Sequence, residues 1–289
     1  MIRLLVTGVK HLFGLHHPGR NLRVYPDDVF IVSYPKSGNT WTRFLIANLL
    51  YPETPADFSN INRLTPDPEA SSKRELERMP RPRMIKSHQY FDPRYARVIC
   101  IVRDPRDVVL SSYYFQRKRG IIDDQYPLDR FAARFIAGDT GPYGSWGDNV
   151  ASWLVTRQNR PGFVLLRYED MLEDTARELN RVASFLELPA DAERIANAVR
   201  RSAADEMRKL EKAQAHLWSS TKSTRKDVPF VRNAKGGGWR TGLPEAAVAE
   251  VEGAWGHLMT HLGYALQFPG RTTNFDSGFA ETMLKGPSR

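Results

Sequence analysis

Four short apolar runs constrain the fold of this chain more than any other feature: FIVSY at Phe30–Tyr34, RMIKSH at Arg83–His88, RVICIVR at Arg97–Arg103 and FVLLRY at Phe163–Tyr168. Each has strand length and branched residues, and each runs into polar or turn-forming residues. Helical patterns lie between them, clearest in WTRFLIANLLY after the first, PRDVVLSSYYFQRKR after the third and MLEDTARELNRVASFLEL after the fourth. Near-continuously apolar strands alternating with helices specify an α/β fold, a parallel sheet covered by helices on both faces. Such sheets bind ligands at the carboxyl ends of their strands. SYPKSGNT, KSH, RDPRD and YED all fall there.

The first of these junctions has the outline of a phosphate-binding loop. Strand FIVSY delivers the chain to a tight turn at Pro35. Gly38 lets backbone amides close on an anion, and a helix beginning near Thr40 points its unpaired N–H groups at the same spot. Ser37, Asn39, Thr40 and Thr42 add short donors, and Lys36 adds a mobile charge. The Walker pattern itself is absent, because the lysine precedes the only glycine. The third strand ends in a second device: Arg103 at the strand end, Pro105 in the first turn of a helix, and Ser111 two turns further on. A guanidinium and a hydroxyl suit a terminal phosphate. The plainer alternatives are a strand-turn-helix junction with a surface lysine, and Arg103 paired with Asp104 or Asp107 on the surface.

Composition bounds the rest. With 289 residues, 41% hydrophobic and 26% charged, the expectation is one domain over 1–289, with a core of about 27–268 and peripheral segments at 1–26 and 269–289. Runs such as VICIV at Val98–Val102 are far too short to cross a bilayer, so no transmembrane segment is expected. Leu5, Val9, Leu12 and Phe13 share one helical face, read as packing on the domain rather than on a membrane surface. The opening residues make a poor signal peptide, and the single cysteine, Cys100, permits no intrachain disulfide; the expectation is a cytoplasmic protein. The net charge of +9 invites a nucleic-acid reading, but the 42 Lys and Arg are scattered among 33 Asp and Glu. The cluster QRKR at Gln116–Arg119 reads as a solvated helix end. YPETPADFSNINRLTPDPE and GDTGPYGSWG read as long surface loops that shape a pocket, and the polar stretch from Ala213 to Lys235 as mobile without ligand.

YPKSGNTW at Tyr34–Trp41, RDPRDVVLSSYYF at Arg103–Phe115 and FVRNAKGGGWR at Phe230–Arg240, in that order and spacing, resemble the signature set of the PAPS-dependent sulfotransferase family, cytosolic type. PAPS is 3′-phosphoadenosine 5′-phosphosulfate, and its product is 3′-phosphoadenosine 5′-phosphate, PAP. The likeness implies a P-loop-like sheet and a 5′-phosphosulfate loop of Lys36, Ser37, Gly38, Asn39, Thr40 and Trp41, the Trp41 ring near the adenine. It implies a 3′-phosphate site of Arg103 and Ser111, closed by Arg232, Asn233 and Ala234. Tyr168 matches a nucleotide-contacting tyrosine and His88 the family's catalytic histidine, with Lys86 beside it. The family usually has Arg-Lys-Gly where this chain has Arg232-Asn233-Ala234, so one phosphate cation is missing unless Lys235 replaces it. Ala204 stands where an aromatic commonly covers the adenine, and the usual dimer motif is lacking after Trp239, which leaves the oligomeric state open.

On that reading His88 takes a proton from a hydroxyl or amine of a small-molecule acceptor, near its ordinary pKa of about 6.5, while Lys36 and Lys86 balance charge on the sulfuryl and leaving phosphate oxygens. No metal is expected, since no His/Asp/Glu cluster has metal-site spacing. The acceptor pocket is expected from Tyr51–Pro68, Tyr90-Phe91 and Phe115–Trp153, whose aromatics suit a phenol or other flat apolar molecule. Two other readings stand beside this one: a P-loop-type nucleoside or small-molecule kinase, and a non-enzymatic basic protein that binds nucleic acid.

Overall fold

All four apolar runs become strands of one parallel sheet in a computed structural model, which describes residues 10–11, 13–232 and 234–270. In chain order the elements are β1 (Val29–Ser33), α1 (Asn39–Leu50), α2 (Ile61–Leu64), α3 (Lys73–Arg78), β2 (Met84–Ser87), β3 (Arg97–Val102), α4 (Pro105–Lys118), α5 (Leu128–Ile136), α6 (Trp146–Arg157), β4 (Phe163–Arg167), α7 (Tyr168–Glu173), α8 (Thr175–Phe185), α9 (Ala192–Arg201), α10 (Ala204–Gln214), α11 (Trp239–Gly242) and α12 (Glu245–His261). The sheet order is β2-β1-β3-β4. β1 therefore lies between the strands that lead into His88 and into Arg103, with Val32 paired to Ser87 on one side and to Cys100 on the other.

Strand alternation divides the core. Phe30, Val32, Val98, Cys100 and Val102 face one side, against α4, α5, α6 and α12. Val29, Ile31, Ile99, Ile101 and Leu166 face the other, against α1, α7, α8 and α9. Both faces being dry explains the unbroken apolar runs. Cys100 is buried in this layer, and burial pushes its thiol up to about 12.

Several local readings are corrected. The helical pattern after β4 is two helices, because Asp174 leaves the helical region and its side chain caps α8 by accepting from Arg177 N. The segment after α1 is no surface loop: Ala56, Phe58, Ile61 and Leu64 are buried with Phe44, Met207 and Trp218 in a third cluster. Arg43, itself buried, ties that corner down by donating to Thr65 O at 3.0 Å and Asn62 Oδ1 at 2.8 Å. In QRKR, Lys118 is not solvated but 3% exposed, with its ammonium 3.0 Å from Arg225 O. Leu5, Val9 and Leu12 lie outside the described residues, as do the rest of 1–9 and all of 271–289, while Phe13 is exposed.

A buried charge cluster fixes the corner where β3 turns into α4. Asp104 caps the helix by accepting from Arg106 N, and Arg106 is held by Asp104 at 2.6 Å and by Glu252 of α12 at 2.5 Å, its guanidinium lying 3.7 Å over the Trp239 ring. Glu252 is fully buried and also accepts from Gln267 N and Phe268 N. Removing one member strands the other's charge in the core. Glu252→Ala is therefore expected to cost roughly 3–5 kcal/mol, read as a fall in the urea midpoint at constant slope; a loss below about 1 kcal/mol, the size of a surface pair, would show that Arg106 finds water.

Candidate active site

The carboxyl edge of the sheet opens into a cavity of about 900 Å³. The loop from β1 enters it first. Lys36 has φ +69° and Gly38 has φ +103°, the left-handed conformation that brings the amides round. A Cβ at Gly38 would stand 2.6 Å from Tyr168 Cδ2, so the ring itself demands glycine here. Gly38 offers no side-chain cap to α1, which leaves the first N–H groups of that helix to the cavity. Asn39 is spent on the scaffold, donating to Ile31 O and Ser33 Oγ, and the Ser37 hydroxyl is wholly buried with no hydrogen-bond partner among the described residues.

Three cations converge above the loop. Arg103 donates to Lys36 O at 3.3 Å and Lys235 O at 3.2 Å, stacks over Tyr168 at 4.3 Å, and lies 3.9 Å from Asp107. Arg232 lies 4.3 Å over the Tyr114 ring; burial holds it below its ordinary value and the charge of Arg103 adds to the effect. The Lys36 ammonium sits between the rings of Phe115 at 4.1 Å and Phe230 at 4.4 Å. Burial first, then repulsion by Arg103 and Arg232, brings it down to about 7. Ser111, Thr40, Trp41, Ala204 and Ala234 also line the cavity; Trp41 donates to Ser202 O at 3.0 Å and meets Tyr168 edge-on. Asn233 lies outside the described residues.

The other end belongs to β2. His88 Nδ1 is 2.7 Å from Ser33 O, a carbonyl that can only accept, so Nδ1 carries the proton and Nε2 is the ring's acceptor. Burial and the Lys86 charge push the imidazole down to about 3, well below the ordinary value expected from the sequence. It is neutral at physiological pH. Lys86 is committed to Asp67 at 2.5 Å. Tyr143 stands edge-on to His88 at 5.4 Å and donates to Glu69 at 2.5 Å.

The comparisons with known proteins meet this geometry. A sulfotransferase domain model matches residues 26–263. The chain belongs to the sulfotransferase family. It is therefore an enzyme of sulfuryl transfer, and the kinase and nucleic-acid readings fall away. Sulfotransferase 2B1 of Mus musculus is 29% identical over 265 residues, 88% of this chain and 77% of that protein; Sulfotransferase 1E1 of Rattus norvegicus is 31% identical over 241 residues, 76% and 79%. Among solved structures, retinol dehydratase in complex with retinol and PAP has a TM-score of 0.70 at 20% identity, covering 87% of this chain and 86% of its own. Mouse sulfotransferase SULT7A1 complexed with PAP has a TM-score of 0.67 at 21% identity, covering 95% and 94%. These show the fold. No helix among the described residues is long and apolar enough to cross a membrane.

In this sulfotransferase the pocket expected from the aromatic residues forms only in part. Phe91 packs edge-on against buried Trp153, Tyr90 abuts Gly144, and neither lines the cavity. Asp67 and Glu69 do, and so do Phe115, Gln116, Ile121, Thr140 and Tyr143. Asp67 reaches its place through the Arg43-held corner, which no local pattern announces. The aromatic cage around Lys36 is equally hidden in the sequence, because Phe115 and Phe230 are remote from it along the chain.

The steric demand at Gly38 gives a direct test. Gly38→Ala is expected to displace Tyr168 and cost roughly 1–3 kcal/mol, measured by chemical denaturation; an unchanged midpoint would mean that ring and loop relax freely.

Proposed function

We propose that this sulfotransferase takes its sulfuryl group from PAPS and that Lys36, Ser37, Gly38, Asn39, Thr40 and Trp41 hold the 5′ end, while Arg103, Ser111 and Arg232 hold the 3′-phosphate and Tyr168 flanks the nucleotide. One observation carries the reading: three cations from three separate motifs converge on one cavity, close enough that their repulsion contributes to the depressed Lys36 ammonium. A ligand with two anionic groups relieves that repulsion; one with a single group leaves part of it. The buried, unpartnered Ser37 hydroxyl and the free first turn of α1 fit a phosphate oxygen. PAP is what both structural neighbours were solved with.

His88 Nε2 accepts the proton of the acceptor hydroxyl or amine as that atom bonds to sulfur and the bond from sulfur to the 5′-phosphate oxygen breaks. The electron pair leaves with PAP. Lys36 meets the negative charge that grows on the leaving oxygen. Lys86, locked to Asp67, supports a different role from the one expected of it: its charge adds to burial in keeping His88 neutral, so the base is unprotonated at any physiological pH. The approaching anionic donor opposes Lys86 and raises the proton affinity of His88 at the moment it is needed. At the acceptor end Glu69, Gln116 and Thr140 line the cavity beside Phe115, Ile121 and Tyr143, which suits a small acceptor with an apolar body and a hydroxyl or amine.

Titration with PAP and with adenosine 5′-phosphate tests the cosubstrate. Losing two charge-assisted hydrogen bonds corresponds to about 10² to 10⁴ in affinity, and the lower end is expected because Asn233 replaces a cation. The affinity for both nucleotides should also depend on pH, because both carry the 5′-phosphate that Lys36 meets. Lys36 titrates at about 7 when free, and an anion raises that value, so affinity is greatest below it and weakens about tenfold per pH unit above it. Equal binding of both nucleotides would sink the assignment.

His88→Ala is expected to lower turnover by about 10² or more with PAP binding nearly unchanged. Unchanged turnover on a reactive acceptor would remove His88 from the chemistry.

A further inference from the structure

The segment carrying Arg232 and Lys235 is not held by its own side chains. One face of α10 holds it instead. Glu211 accepts from Phe230 N at 2.6 Å and Val231 N at 2.8 Å. Arg208, one turn earlier on the same face, donates to Val231 O at 3.4 Å and Arg232 O at 3.0 Å. A carboxylate and a guanidinium thus satisfy the N–H and C=O groups of one extended stretch, as a neighbouring strand would. Lys118, at the end of α4, stands 3.5 Å from Glu211 and donates to Arg225 O and Val228 O, and Arg225 N returns a bond to Lys118 O at 2.9 Å. On the far side Asp107 accepts from Gly237 N at 2.7 Å and Trp239 N at 3.0 Å.

We infer that Glu211 and Arg208, with Lys118 behind them, are positioning residues for 3′-phosphate selectivity: they set the backbone immediately before Arg232 so that its guanidinium shares the cavity with Arg103. The inference rests on the PAPS reading above. None of the three is among the residues placed on the nucleotide. Their effect is transmitted through main-chain bonds to Phe230, Val231 and Arg232, so it falls on whatever Arg232 binds. The same bonds hold Phe230, whose ring cages Lys36, but Phe115 from α4 cages Lys36 independently.

This separates the role from ordinary scaffolding. A residue that merely stabilises the fold changes the melting temperature or weakens all nucleotides alike. A residue that positions Arg232 weakens PAP and leaves adenosine 5′-phosphate, which lacks the 3′ group, unaffected. The test is calorimetric titration of wild type, Glu211→Gln and Arg208→Ala with both nucleotides, alongside melting without ligand. The preference for PAP is expected to fall about tenfold or more in each variant, with adenosine 5′-phosphate bound within about twofold of wild type. Glu211→Gln keeps one acceptor and so the shape of the contact. Should it fail to fold, Arg208→Ala carries the test alone, because the Arg208 side chain is 39% exposed and its loss leaves no buried charge. Well-folded variants with an unchanged preference, or with both nucleotides weakened alike, would overturn the inference and leave the PAPS reading standing. Absence of any preference in wild type would overturn both.

Discussion

Parallel pairing of β1 with β3 is the constraint on which the site depends. The register that sets Ser33 against Ile101 ends the two strands together, so the turn after one and the arginine after the other occupy the same space. Arg103 then reaches the Lys36 carbonyl from the neighbouring strand. One residue of slippage would turn every side chain of β1 to the opposite face, and both faces are core. The dry interior therefore enforces the alignment, and the polar edge inherits it. Hydrophobic burial drives the alignment, and the cations are placed by it against their mutual repulsion.

What balances that repulsion is a second layer of carboxylates that face backbone rather than ligand. Asp107 takes two N–H groups of the glycine-rich turn, Glu211 takes two of the preceding stretch, and Glu252 takes two beyond α12 while neutralising Arg106. Each spends its charge on fixing main chain around the site. Burial holds the Asp107 carboxyl above its ordinary value, although Arg103 draws it down. An acid held there partly relieves Arg103 without occupying its outward face. The net positive character of the cavity survives because these carboxylates are committed to main-chain N–H groups.

The strands, α1, α4 and the identity of the loop residues are legible in the sequence because they are local: apolar runs, a glycine in a tight turn, Pro105 opening a helix. Lys36, Ser37, Arg103 and Ser111 stand out for the same reason. What is not legible depends on long-range contact. Lys118 looks like a solvated residue in QRKR, and only the arrival of Glu211 and of residues 225–228 makes it buried. His88 is singled out by its place at a strand end, yet its proton affinity depends on burial and on an adjacent lysine, which sequence shows, and on Asp67 and Arg43, which it does not. Trp153 reads as pocket lining because aromatic residues in a loop-rich region carry no mark of whether they will be covered. It is a core residue of α6.

The two ends of the cavity solve one electrostatic problem in opposite ways. At the end proposed for the nucleotide, burial and then the neighbouring cations bring the Lys36 ammonium down to about 7. At the acceptor end the charges nearest the base are already engaged: Lys86 with Asp67, and Glu69 with the hydroxyl of Tyr143, whose own proton is held firmly by burial and by that carboxylate. A neutral base between paired charges takes a proton only when new negative charge is brought beside it. On the proposed reading of His88 as the base, the donor's arrival, and not the pH of the medium, sets when it acts. On the same reading, an acceptor that binds alone meets a neutral imidazole of low proton affinity, and its hydroxyl or amine keeps its proton until the donor stands in line with it.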